Sequence, residues 1–350
     1  MVRRVAFAVP GDLAAPTGGY AYDRRMIVEL QQLGWRIDVV GLGDGFPRPS
    51  AAQKAFAEHQ LAAVEGGDPV IVDGLALGVL PEAAQAIRNK HPLVALVHHP
   101  LALETGLSEQ DAAAMRASER AALAAAAAII VTSAPTARLL AADYGVPQAR
   151  MTVARPGTDR VVPAPAHDDG VVRLLSVGSL VERKGFDVLI AALAKLTDLP
   201  WRLSIAGDRT RNPAVAARID ADIAGYKLGN RVKVLGALSD ERIASLYANS
   251  DMFVLASRFE GYGMAYAEAI AAGLPVIGTT GGATPETVPS GAGILVPPGD
   301  VAALADALRR LIADPSQRKS MAASARAAAS ALPTWQESAR ILAAAIERVA

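Results

Sequence analysis

Short runs rich in β-branched residues alternate with longer helical patterns along this chain, stop once, and then begin again. That doubled alternation constrains the fold more than any other feature, because strand–helix alternation produces a parallel sheet covered by helices. The first series predicts strands at Arg3–Val9, Arg36–Gly41, Val70–Asp73, Leu93–His98, Ala128–Thr132 and Met151–Ala154. Helices are expected between them near Tyr20–Leu33, Ser50–Glu65, Pro81–Lys90, Glu109–Ala126 and Ala134–Tyr144. The segment Val161–Gly170, VVPAPAHDDG, has two prolines and no apolar period, and reads as a linker. Strands then resume at Val171–Val177, Trp201–Ala206, Arg231–Leu235, Met252–Leu255, Pro275–Gly278 and Gly293–Val296. The expected architecture is α/β, with two Rossmann-like domains at 1–162 and 171–332 facing across a cleft. A helix at 333–350, with no strand after it, is free to cross back to the N-terminal domain.

Composition removes several function classes. Lys plus Arg and Asp plus Glu number 35 each, with 15 against 16 through Val161, so neither half carries the basic footprint of a nucleic-acid binder. No cysteine is present, which excludes disulfides, thiolate metal sites and cysteine nucleophiles. The N-terminal apolar run meets Pro10 and Gly11 too early for a signal-peptide core, and the apolar stretch Ala121–Val131 falls short of the ~20 residues a spanning helix needs. A cytoplasmic location is therefore expected.

In doubly wound folds ligands bind in loops that follow strands, and two such loops in the second half carry chemistry. Ser257–Gly273 places Glu260 before a flexible Gly261-Tyr262-Gly263 turn, with Glu268 on the helix beyond. The amides of Gly261 to Met264 lie at that helix's N-terminus, where anions and hydroxyl oxygens are favoured. Upstream, Gly178 ends a strand and Arg183-Lys184 sit before Gly185, an adjacent cation pair suited to stabilising a departing diphosphate without a metal. In the first half, Gly18-Gly19 precede a helix and can approach a phosphate or an acceptor closely, and His98-His99 close the fourth strand. His98 is expected to contact the transferred group. Metal binding there is not expected, for want of an evident third ligand. Asp220-Ala221-Asp222 lies in a helical pattern that turns its carboxylates to different sides, so it is set aside as a metal clamp. Neither a dinucleotide fingerprint, nor a G-x-S-x-G elbow, nor a P-loop is found.

With these residues in view, the chain resembles the retaining glycosyltransferases of the GT-B fold, family 4, along nearly its whole length. The resemblance is carried by Pro16-Thr17-Gly18-Gly19, Leu33-Gly34-Trp35, His98, Val177-Gly178-Ser179-Leu180 and Arg183-Lys184-Gly185. It continues through Leu235-Gly236, Glu260-Gly261-Tyr262-Gly263-Met264, Glu268-Ala269, Gly273-Leu274-Pro275-Val276, Gly281-Gly282 and Glu286. Tyr262 stands where the family usually has phenylalanine, and Gly207-Asp208-Arg209-Thr210-Arg211 is longer and more basic than the usual turn.

The resemblance implies that Arg183 and Lys184 bind a donor diphosphate and that Glu268 binds ribose hydroxyls. Glu260 and the amides of Gly261, Tyr262, Gly263 and Met264 would hold the sugar, His98 or its neighbour His99 would approach the anomeric side, and the backbone at Ala237 and Leu238 would take the base. The implied reaction moves a hexose, mannose or glucose, from a guanine or uracil nucleotide sugar to an acceptor hydroxyl, with retention and no cofactor or metal. Gly18, Gly19, Tyr20, Tyr22, His99 and Glu104 are the candidate acceptor or phosphate contacts. The near-neutral first half has no basic amphipathic run, so a small-molecule or glycan acceptor with weak or absent membrane contact is expected. The alternatives are a nucleotide-sugar epimerase on the same fold and a noncatalytic nucleotide-sugar binding module.

Overall fold

A computed structural model describes residues 3–160 and 169–350. Most of the expected linker, residues 161–168, lies outside the described residues. The chain divides into two compact units, residues 1–157 with 333–350, and residues 158–332. The division falls at Gly157/Thr158, ahead of the proline-rich stretch.

Unit 1 contains strands β1 (Arg3–Val9), β2 (Trp35–Gly41), β3 (Val70–Asp73), β4 (Leu93–Val97), β5 (Ala128–Val131) and β6 (Met151–Val153). Its helices are α1 (Gly18–Gln32), α2 (Ala51–Ala62), α3 (Gly74–Leu77), α4 (Pro81–Arg88), α5 (Glu109–Ala125) and α6 (Ala134–Tyr144). All strand pairs are parallel, in the order β2-β1-β3-β4-β5-β6. Strands β3, β4 and β5 are buried at every position. Helices cover both faces of such a sheet, which is why these strands read as continuous apolar runs rather than alternating ones.

Unit 2 contains β7 (Val172–Val177), β8 (Trp201–Ala206), β9 (Val232–Val234), β10 (Met252–Val254), β11 (Val276–Thr279) and β12 (Gly293–Val296). Helices α7 (Phe186–Ala194), α8 (Pro213–Gly225), α9 (Asp240–Ala248), α10 (Met264–Ala271), α11 (Thr284–Thr287), α12 (Val301–Ala313) and α13 (Pro315–Ala329) accompany them. The order is β12-β11-β10-β7-β8-β9, again all parallel. Its core includes an aromatic column in which Phe253 stacks on Tyr247 and meets Tyr266 edge-on.

The last helix, α14 (Trp335–Glu347), is part of unit 1. Ser338 donates to the Arg155 carbonyl at 2.5 Å, and Trp335 packs against Tyr22 under the Arg25 guanidinium. Its N-terminus is closed by reciprocal bonds between Thr334 and Glu337. No helix of the described residues is long and apolar enough to cross a membrane.

Each sheet has one point where strand order reverses direction, between β1 and β3 in unit 1 and between β7 and β10 in unit 2. Loops leaving the carboxyl ends of those neighbouring strands diverge to opposite faces and open a crevice.

Candidate functional site

In unit 2 the two loops at the reversal point are the sequence-predicted pair. After β7, the chain runs through Gly178 and a single 3-10 turn, Glu182–Lys184, into Gly185, which adopts φ 65°. A Cβ on Gly185 would lie 2.0 Å from the Ala256 carbonyl oxygen, so only glycine permits the loops after β7 and β10 to approach this closely. Arg258 joins them: its amide donates to the Arg183 carbonyl at 2.7 Å, and its guanidinium reaches both Asp187 carboxylate oxygens and the Glu182 carbonyl.

That clamp brings Arg183, Lys184 and Glu260 together. Lys184 Nζ lies 2.6 Å from Glu260 Oε1, Arg183 Nη1 lies 3.3 Å from Oε2 and 2.9 Å from the Phe259 carbonyl, and Ser257 Oγ donates to Oε1 at 2.5 Å. Glu260 is 5% exposed. Burial pushes its carboxyl upward, but the Lys184 and Arg183 charges outweigh burial and bring its pKa to about 2. The cluster is thus two cations over one fixed anion, a net positive crevice beside the N-terminus of α10, whose first residue follows Gly263.

Glu268, on α10, is half-buried and accepts from the Tyr247 hydroxyl at 2.9 Å. Burial raises its pKa, and the Tyr247 bond opposes that. Gly261, Tyr262 and Gly263 are buried and Met264 is half-buried. On the other flank the Gly207 amide donates to the Gly236 carbonyl at 2.9 Å and Gly178 donates to Ala206 at 2.9 Å, which sets the Ala237-Leu238 backbone beside the end of β8. Ala237 is exposed and Leu238 half-buried. Asp220 and Asp222 lie on α8, where Asp220 pairs with Arg209.

In unit 1, Thr17 caps α1, leaving Gly18 exposed and Gly19 half-buried in its first turn. His98 lies one residue beyond the end of β4 rather than within it. Its Nε2 is 3.2 Å from Asp23 Oδ1 and 3.4 Å from Asp73 Oδ2. This corrects the expectation that no further ligand-type groups stand beside His98, because the fold brings two. His99 is engaged elsewhere, with its Nε2 2.5 Å from Glu104 Oε1. Tyr22 is corrected as an acceptor contact: it is fully buried and its hydroxyl donates to the Ala154 carbonyl at 3.0 Å. Tyr20 is buried too.

Four groups escaped the sequence reading: Asp23, Asp73, Ser257 and Tyr247. Asp73 had a legible signal, as the one charged residue closing an otherwise apolar strand. Asp23 is four residues after Gly19 and so on the same helix face. Ser257 and Tyr247 had no signal apart from the partners the fold gives them.

Two family models match in tandem, Glycosyltransferase Family 4 over residues 67–161 and Glycosyl transferases group 1 over residues 159–328. The MMP alpha-(1->4)-mannosyltransferase of Mycolicibacterium hassiacum is 28% identical over 311 residues, covering 83% of this chain and 73% of that protein. The chain's matches span about half the length of other curated relatives, such as the 54% covered of a D-inositol 3-phosphate glycosyltransferase from Catenulispora acidiphila, 30% identical over 60% of this chain. Among solved structures, sucrose-phosphate synthase from Thermosynechococcus elongatus has a TM-score of 0.84 at 23% identity, over 99% of this chain and 98% of that one. Anabaena HepE in complex with UDP-glucose has a TM-score of 0.76 at 20% identity, over 99% of each chain. These structural likenesses establish the two-unit GT-B fold.

Proposed function

The chain belongs to the family 4 glycosyltransferases of the GT-B fold, and on that premise we propose that it transfers a hexose from a nucleoside-diphosphate sugar to an acceptor hydroxyl, with retention at the anomeric carbon and without a metal. The observation that carries this reading is the cluster of half-buried Lys184 and Arg183 around buried Glu260 at the strand-order reversal of unit 2.

A diphosphate leaving group gains charge as the glycosidic bond breaks, and preorganised cations stabilise that charge more than they stabilise the bound donor. Glu260 holds Lys184 and Arg183 in place, so they need not reorganise when the charge develops. The α10 amides and Glu260 receive the sugar, Glu268 the ribose hydroxyls, and the backbone at Ala237 and Leu238 the base. Acceptor contacts come from unit 1, through Gly18, Gly19, His99 and Glu104. The bond from C1 to the phosphate oxygen breaks, the acceptor oxygen bonds to C1 on the same face, and the acceptor proton passes to the departing diphosphate. The mannosyltransferase relative and the UDP-glucose complex of a structural neighbour support mannose and glucose as the hexoses to try first.

The test is product formation from GDP-mannose and UDP-glucose with a panel of sugar, inositol and sugar-phosphate acceptors, with NMR assignment of the anomeric configuration. An α-linked product from an α-linked donor supports the reading, and an inverted product refutes it. A new nucleotide sugar formed without acceptor would mark an epimerase instead. Binding without turnover would mark a noncatalytic module.

A further inference from the structure

Beside the strand-order reversal of unit 1, three ionisable side chains from three elements meet in one place. Asp23 comes from the second turn of α1, Asp73 from the end of β3, and His98 from the residue after β4. The ligand-type atoms lie within 4.8 Å of one another, Asp23 is fully buried and Asp73 is 2% exposed. We propose that Asp23 and Asp73 are positioning residues for His98: together they engage Nε2, fix the ring plane, and leave Nδ1 as the nitrogen offered to a hydroxyl or phosphate oxygen of the bound ligand. The proposal rests on the transfer reaction proposed above and adds two residues to it.

The geometry narrows the ring's freedom from several sides. Asp73 is itself held, since its Oδ1 accepts from the Leu75 amide at 2.6 Å while Oδ2 faces His98. Tyr22 meets the imidazole edge-on at 5.3 Å, with its hydroxyl tied to Ala154. Gly19 lies along the Cδ2–Nε2 edge, where an added Cβ would sit 3.4 Å from His98 Cδ2. The His98 side chain is 19% exposed, and with Nε2 engaged by the two carboxylates Nδ1 is the ring nitrogen left to offer a ligand.

Charge then sets the protonation state. Two buried carboxylates side by side cannot both stay ionised without a cation: burial and Asp73 raise the Asp23 pKa to about 7, whereas at Asp73 burial is outweighed by His98 and its pKa lies below the usual carboxylate range. Asp23 Oδ2, buried and with no hydrogen bond among the described residues, adds to that demand. The ionisable groups that bear on the ring are Asp23, Asp73 and Tyr22. Burial disfavours a charged imidazole, yet Asp23 and Asp73 outweigh it and lift the His98 pKa to about 10. A cationic ring makes Nδ1 a hydrogen-bond donor throughout the neutral range, with its direction set by carboxylates that never touch the ligand.

The decisive measurement is 15N NMR of histidine-labelled, ligand-free protein, with His98 assigned from a His98→Gln variant. The expected result is an imidazolium with both nitrogens protonated at pH 8, titrating at least one unit lower in Asp23→Asn and in Asp73→Asn. The same two variants should lose at least tenfold in kcat while donor KM stays within threefold. A His98 that titrates near 6.5 in the wild-type protein overturns the proposal, as does kcat within twofold of wild type in both variants. So does one equivalent of zinc or manganese bound by the wild-type protein and lost in both variants, because the three groups would then be ligands. If no nucleotide sugar is turned over, the proposed reaction fails on its own while the NMR titration still decides this point.

Discussion

Lys184 Nζ sits 2.6 Å from Glu260 Oε1, joining two loops whose residues are 76 positions apart in sequence but leave neighbouring strands. Breaking a buried pair costs more than the pair itself is worth, because the remaining charge is left uncompensated. Glu260→Gln should therefore cost on the order of 3 kcal/mol at neutral pH. The Glu260 pKa is depressed to about 2 in the folded state, so its contribution is present above the unfolded carboxyl value near 4.5 and is lost as pH falls through about 2. Denaturant melts of wild type and variant should converge as pH drops from 4.5 toward 2. A gap that does not narrow would contradict the assignment.

Gly185→Ala places a methyl group against the Ala256 carbonyl at a residue with φ 65°. The substitution should destabilise unit 2 by more than about 1 kcal/mol and weaken nucleoside-diphosphate binding, since Arg183 and Lys184 immediately precede it. Thermal melts and a binding titration check both effects.

In unit 1, Glu119 is 1% exposed and its Oε2 accepts from the Leu101 amide at 3.0 Å, which fixes the turn following His98 and His99. Burial raises its pKa to about 7. The sign is the reverse of that at Glu260: the contribution is present below the unfolded value near 4.5 and is lost as pH rises through about 7. Glu119→Gln keeps the acceptor without the charge, so it should match wild type near pH 4.5 and exceed it by on the order of 2 kcal/mol at pH 8. Melts at those two pH values measure it.

Metal removal separates two ways of stabilising a diphosphate. With Arg183 and Lys184 supplying the positive charge, exhaustive chelation should leave turnover within twofold of the untreated enzyme. A loss of activity restored by magnesium or manganese would assign that charge to an ion instead.

The parallel sheets were legible because strands buried on both faces read as near-continuous apolar runs: in unit 1, VIVD, apolar up to its closing Asp73, LVALV and AIIV each match a strand to within a residue or two. Strand order was not legible, because periodicity says which segments are strands and nothing about their neighbours. The strand pairings that place Glu260 beside Lys184 at the β7–β10 reversal, and Asp73 beside His98 at the ends of adjacent β3 and β4, are known only from the sheets. For the same reason the sequence showed Arg183 and Lys184 as cations awaiting a ligand, whereas the fold shows them already organised by Glu260. The solitary His98 gained two carboxylates, and Tyr22, polar on paper, proved to be a core residue whose hydroxyl serves Ala154.

Calorimetric titration of GDP and UDP into wild type and Lys184→Ala tests the central claim most directly, since it measures whether a nucleotide's diphosphate rests on this ammonium. The expected result is one nucleoside diphosphate bound per wild-type chain and binding at least tenfold weaker in a variant that remains folded. Equal affinity in the two proteins would contradict the account.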